Sequence, residues 1–234
     1  MRYSLRQLFC VVGLIAAASG VAGHFARCQS TEIAWQQVGG IVLDRDVFGR
    51  PTAVSISGAQ HSERPGLPPL VHSVPKLQKL YVSDVVISKT DAVWIGSLQE
   101  LTYLSLDGCS FRQGSVQRLA ELRSLRLLSL KHTNVADNDL AKLTLLSQLE
   151  TLYLDSTSVT DEGLQHLKEF SRLEILSLRG LSVGDQGVDH LRQLSSLIYL
   201  DLTGTSTSDR RKALLPDEMP SVRLGSPGDV LMWK

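Results

Sequence analysis

The stretch from Leu149 to Arg172, LETLYLDSTSVTDEGLQHLKEFSR, recurs along the chain. Shifted by 24 residues, Leu149, Leu152 and Leu154 fall on Leu125, Leu128 and Leu130 upstream, and on Leu173, Leu176 and Leu178 downstream. Apolar columns held in step across successive segments are the signature of stacked units, none of which buries its apolar face alone. Units begin at Leu77, Leu101, Leu125, Leu149, Leu173 and Leu197. Their second column is Leu80, Leu104, Leu128, Leu152, Leu176 and Leu200, and their third is Val82, Leu106, Leu130, Leu154, Leu178 and Leu202. Residues two apart lie on the same side of a strand, so these two columns face inward together and the strands stack into a parallel sheet. An apolar content of 43% with only 6% aromatic residues suits a core built from leucine ladders.

Behind each strand the pattern continues. Val85, Cys109, Thr133, Thr157, Leu181 and Thr205 form a column in which Thr and Cys can bond inward to backbone groups. Ile87, Phe111, Val135, Val159 and Val183 form another inward column. Asp137, Asp161, Asp185 and Asp209 follow and suit helix N-caps, where a carboxylate accepts free backbone N–H groups. Leu140, Leu143 and Leu146, then Leu164, Leu167 and Phe170, recur at three-residue spacing and predict a short helix packed on the sheet. The fold class that follows is α/β, a solenoid with a curved parallel sheet and short helices on its outer side.

The ends differ from this array. Residues 1–29 read as a signal peptide or membrane anchor: Arg2 and Arg6 precede an uncharged run from Leu8 to Ala22 with small residues at Ala16, Ala17 and Ala18. A cleaved signal and an uncleaved anchor both fit. Residues 30–76 form an N-terminal cap, with a helix over Ser30 to Val38, a strand at Ile41, Val42 and Leu43, and a second extended piece from Thr52 to Ser57. Val54-Ser55-Ile56-Ser57-Gly58 echoes Leu104-Ser105-Leu106-Asp107-Gly108, as a degenerate first repeat would. Residues 77–220 hold six regular repeats, which Pro216 and Pro220 stop. Residues 221–234 supply an end strand at Val222 and Leu224 and a tail.

The phrase L-x-x-L-x-L-x-x-T-x-V-T-D-x-G-L-x-x-L, from Leu149 to Leu167, resembles bacterial leucine-rich-repeat proteins over roughly two thirds of the chain. RYSLRQLF with the apolar run behind it, and QQVGGIVLD, are similar to exported or membrane-anchored members of that group. The resemblance implies a curved solenoid used for protein interaction, with no inherent catalysis and no cofactor. The first unit departs from the pattern at Ser88-Lys89-Thr90-Asp91 and the last at Ser208-Asp209-Arg210-Arg211, which leaves the helix geometry open at both ends.

Register identifies the outward residues of the sheet. Tyr81 and Tyr153 share one column, Tyr103 and Tyr199 the neighbouring one, and Asp107, Lys131, Asp155 and Arg179 alternate in charge in the next. Exposed tyrosines offer large contact area at low entropic cost, so these eight residues are the expected concave-face site for a protein or peptide. Tyrosine also simply suits a strand, and alternating charges pair along a sheet. Cys109 and His132 invite a nucleophile and base reading. Cys109 stands in an inward column, however, so a buried structural thiol is the better assignment. His166 and His190 lie one repeat apart with no third metal ligand, and Gly180, Gly184 and Gly187 make no phosphate-binding loop. Lys+Arg 24 against Asp+Glu 24 gives no general electrostatic case for nucleic acid, and Cys10, Cys28 and Cys109 are too scattered for a disulfide framework. The reading is an exported or membrane-anchored interaction module, its membrane contact made by the N-terminal segment. A soluble intracellular adaptor and an enzyme with an unrecognised site are its alternatives.

Overall fold

The computed structural model describes residues 40–45, 51–57, 67 and 76–225. The expected signal segment, the helix over Ser30 to Val38 and the tail beyond Gly225 lie outside them. Strand β1 (Gly40–Arg45) turns back against β2 (Pro51–Ser57) in the single antiparallel pairing of the sheet. From β2 onward every neighbour is parallel, through β3 (Lys79–Ser83), β5 (Tyr103–Ser105), β7 (Leu127–Ser129), β8 (Thr151–Tyr153), β9 (Ile175–Ser177), β10 (Tyr199–Asp201) and β11 (Arg223–Leu224). Behind them β4 (Val86–Ile87) and β6 (Ser110–Phe111) pair as a second small sheet, extended by bridges from Ala136 to Ser158 and from Thr160 to Ser182.

The register is the one the repeat dictates. Leu80, Leu104, Leu128, Leu152, Leu176 and Leu200 are each 0% exposed, and Val54 of β2 occupies the same column opposite Leu80. The outer layer is α1 (Lys89–Gly96), a 3-10 turn at Val116–Glu121, α2 (Asp137–Lys142), α3 (Asp161–Leu164) continued as 3-10 helix over Gln165–Glu169, α4 (Asp185–His190) continued over Leu191–Gln193, and α5 (Asp209–Glu218). The three-residue spacing of Leu164, Leu167 and Phe170 is the period of a 3-10 helix, and all three are buried. Sheet and helices share one core running from Val54 to Met219.

The turn after each strand keeps the stack joined. Asp84, Gly108, His132, Ser156, Gly180 and Gly204 all have positive φ, three of them non-glycine residues in a conformation that costs an L-residue energy. From Asp84 to Gly180 this conformation aims the N–H at the next repeat: Gly108 N–H bonds the Lys131 carbonyl at 2.8 Å, His132 N–H that of Asp155 at 2.8 Å, and Ser156 N–H that of Arg179 at 2.9 Å. The threonines of the polar column serve their own turn. Thr133 Oγ1 donates to the Leu130 carbonyl at 2.7 Å and Thr157 Oγ1 to that of Leu154 at 2.8 Å.

The aspartates are not N-caps. Ala136, Thr160, Gly184 and Ser208 hold that place, and Asp137, Asp161, Asp185 and Asp209 are the first helical residues after them. Three of the carboxylates reach across to the next unit instead. Asp137 accepts the Thr160 N–H and hydroxyl, both at 2.8 Å; Asp161 accepts the Gly184 N–H at 2.7 Å; Asp185 accepts the Ser208 N–H and hydroxyl, both at 2.8 Å. The Ser208 bonds, with help from Arg211 and Lys212, hold the Asp185 carboxyl below the usual carboxylate range. Gly163 and Gly187 make room for this reach, since a Cβ on either would overlap Oδ1 of Asp137 or Asp161. Where Gln113 replaces the aspartate, the glycine place holds Asp139; in the last unit Arg211 stands in that place although Asp185 makes the same reach to Ser208.

The helices of the first and last units have side-chain N-caps, which those between lack. In the first unit Ser88 accepts the Asp91 N–H while Asp91 accepts the Ser88 N–H at 2.8 Å, a complete capping box ahead of an 8-residue helix. The other Asp91 oxygen accepts the Leu67 N–H at 3.0 Å and so ties the preceding connection to α1. In the last unit Ser208 caps α5, which runs through Pro216 to Glu218. Arg211 bonds Asp189 and Glu218 across the outer layer.

Candidate functional site

On the concave side, opposite the helices, the outward residues stand in three rows across the strands. One row runs Ala53, Lys79, Tyr103, Leu127, Thr151, Ile175, Tyr199 and Arg223. The next runs Ile41, Ser55, Tyr81, Ser105, Ser129, Tyr153, Ser177 and Asp201. The third continues each strand at Ser83, Asp107, Lys131, Asp155 and Arg179. Neighbouring members of a row are about 4.8 Å apart, the strand spacing.

In the middle row two tyrosines stand among serines. Ser105, Ser129 and Ser177 are buried, while Tyr81 and Tyr153 are half-buried and rise above them. Tyr81 and Tyr103 lean together with ring centroids 4.7 Å apart at 39°. Burial pushes the Tyr103 hydroxyl up to about 12, reinforced by Tyr81, Tyr153 and Asp107, all of which oppose a phenolate there. Burial and then Asp155 raise Tyr153 in the same direction. Lys131 closes this cluster, its Nζ lying 4.3 Å from the Tyr153 ring centroid and 3.4 Å from Asp155 Oδ2.

The eight expected residues therefore divide. Tyr81, Tyr103, Asp107, Lys131, Tyr153 and Asp155 form one patch over β3 to β8. Arg179 lies beyond it and is exposed. Tyr199, expected as an exposed contact, is buried at 5%, in its row between Ile175 and Arg223. Asp155 is buried as well and is structural in part: it accepts the Ser177 hydroxyl and the Arg179 N–H. Asp107 repeats this arrangement, accepting Ser129 Oγ at 2.5 Å and the Lys131 N–H at 3.2 Å. Two carboxylates read as surface charges thus also stitch adjacent turns.

The sequence reading missed Ile41 and Leu43, which are 61% and 55% exposed and extend the patch past Ser55. Alternation was the available signal: Val42 pairs with inward Val54, so its two neighbours must face outward. It also missed Asp84, an exposed carboxylate in the turn beside Asp107.

The outer layer offers no comparable chemistry. Cys109 is fully buried and donates to the Val82 carbonyl, while His132 is exposed in a turn, so the two do not form a nucleophile and base. Burial pushes the Cys109 thiol up to about 12, with Asp84 and Asp107 adding to the rise, away from the thiolate form that nucleophilic attack needs. Among the described residues there is no group of three His, Cys, Asp or Glu side chains placed to hold a metal ion. Nor is any described helix long and apolar enough to cross a membrane; the Leu8 to Ala22 run is outside that set.

Strand, left-handed turn, polar column and short outer helix, repeated in register, define a leucine-rich-repeat solenoid. Internalin C2 from Listeria monocytogenes is similar in structure, with a TM-score of 0.56 and 23% identity over 77% of this chain and 76% of that one. A leucine-rich-repeat protein from Leptospira interrogans aligns with a TM-score of 0.50 and 19% identity over 68% of this chain, which spans 40% of its length. No protein-family profile matches the sequence, and no curated protein does.

Proposed function

We propose that the chain is a non-catalytic leucine-rich-repeat module that binds a protein or peptide on its concave face, and that residues 1–29 export it or anchor it in a membrane. The observation that carries the binding reading is the tyrosine patch. Tyr81 and Tyr153 project from a row whose neighbouring positions Ser105, Ser129 and Ser177 are buried, Tyr103 stands in the next row between Lys79 and Leu127, and exposed Ile41 and Leu43 continue the face. A sheet made only for stacking has no need of rigid amphipathic rings there, whereas a binding face gains contact area from them at small entropic cost. The order of arginines, apolar run and small residues supports the location.

The test is affinity capture with the full chain, comparing wild type with a Tyr103→Ala, Tyr153→Ala double variant that retains the wild-type thermal midpoint. Specific partners should be recovered by wild type and depleted from the double variant; equal recovery contradicts the concave reading. For the location, a C-terminally tagged chain should fractionate with membranes or the exported pool, and its recovery in the soluble cytoplasm contradicts the anchor.

A further inference from the structure

Repeat symmetry allows one part of the patch to be read against another. In the turn after β8, Asp155 uses one oxygen to hold Ser177 and the Arg179 N–H, and its other oxygen takes an ammonium: Lys131, the residue 24 positions earlier and one repeat back. Tyr153 supplies the ring beneath that ammonium. In the turn after β5, Asp107 holds Ser129 and the Lys131 N–H in the same way. The residue 24 positions before it is Ser83, which brings no charge. Asp107 consequently has no ion-pair partner among the described residues, and neither has the neighbouring Asp84, whose carboxylate lies against Gly108. Ser105 holds here the place that Tyr153 has in the filled seat, and the rings on this side are the Tyr81–Tyr103 pair, Tyr81 lying two residues before Ser83 on the same face of β3. Lys79 flanks Tyr103 on the far side of Tyr81, two residues from Tyr81 and four from Ser83 along β3.

We infer that the seat over Ser83, between Asp84, Asp107 and the Tyr81–Tyr103 pair, receives a cationic side chain of the partner, arginine in preference to lysine. Charge complementarity selects the sign, because Lys131 on Tyr153 and Asp155 shows how this face holds a cation. The tilted rings select the shape. A planar guanidinium stacks on a tyrosine face while bonding a carboxylate with two parallel N–H groups, which an ammonium cannot do. The inference rests on the concave-face reading and names the chemistry of one contact within it.

The probe is a fluorescently labelled tetra-arginine peptide titrated into the full chain at low ionic strength, with tetra-lysine in parallel. Wild type should bind tetra-arginine more tightly than tetra-lysine. An Asp84→Asn, Asp107→Asn double variant should weaken tetra-arginine by about fivefold or more, the size of a partly exposed ion pair with cation–π support. Ser83→Lys puts an ammonium where Lys131 stands in the filled seat, without removing any native bond. It should give the same loss with an unchanged melting midpoint, which separates occupancy from misfolding. Asp217→Asn, an exposed charge on α5, should change nothing. No binding by wild type overturns the inference, and so does equal binding by wild type, Ser83→Lys and the double variant. A natural partner whose capture needs Tyr103 and Tyr153 but ignores Ser83→Lys also overturns it while leaving the concave-face reading intact.

Discussion

Gly163 shows most directly how a single residue carries the stack. Its missing Cβ is the space that Asp137 occupies while holding both polar groups of Thr160. Gly163→Ala should therefore destabilise the protein by about 1–3 kcal/mol, the cost of displacing a bonded carboxylate, although alanine is the better helix former by about 1 kcal/mol. Urea denaturation in a double-mutant cycle checks the cause: in an Asp137→Ala background the penalty should shrink to what the remaining contact with Val159 Cγ1, 3.0 Å from the added Cβ, imposes. An identical penalty in both backgrounds contradicts the account. Tyr103 makes a second prediction. Its hydroxyl ionises near 10 when unfolded and at about 12 when folded, so the folded state keeps its proton through a range where the unfolded state loses it. The contribution to stability is whole below the lower value and is lost as pH rises through the window between them. Tyr103→Phe should flatten the fall in the urea midpoint from pH 10 to pH 12, and an unaltered slope counts against the burial of that hydroxyl.

At the scale of elements, the strands were legible and the helix starts were not. A strand with two inward leucines reads unambiguously because its side-chain period of two admits one register, and Leu80 to Leu200 stand opposite one another accordingly. An aspartate beside a helix start is ambiguous, since a carboxylate can cap its own helix or reach the next unit. In Asp137 and Asp161 the decisive partners lie 23 residues ahead, beyond any local pattern. The glycine at Gly163 was a usable signal, because a glycine inside a helix needs a neighbour that explains it. Pro216 lies inside α5, a short helix also held by Arg211 and by packing of Leu215 and Met219, which local propensity does not register. In the candidate site the tyrosine columns followed from register, whereas burial of Tyr199 and Asp155 depends on neighbours that only the stacked structure supplies. Ser88→Ala tests an element directly. It removes the cap of α1 and should cost about 0.5–2 kcal/mol by thermal denaturation. A loss below that range would mean that α1 is held by Trp94 and Ile95 packing alone.

The whole molecule is quasi-one-dimensional: each unit touches its neighbours, and its core is a ladder rather than a centre. Leu152, with Leu128 on one side and Leu176 on the other, is fully buried, so Leu152→Ala should cost about 2–5 kcal/mol through the cavity it leaves. A loss below about 0.5 kcal/mol, the scale of a surface change, would mean that the register is wrong. The same stacking that buries the leucines lines up Tyr81, Tyr103 and Tyr153 on the concave face and leaves α1 with Val93 exposed on the outer layer. Site-specific photocrosslinking compares the two faces in one experiment, with a benzoylphenylalanine placed at Tyr103 in one chain and at Val93 in another. Crosslinking in the native host should give a discrete protein adduct from position 103 and none from position 93. An adduct from position 93 alone would place the binding surface on the helices and contradict the account.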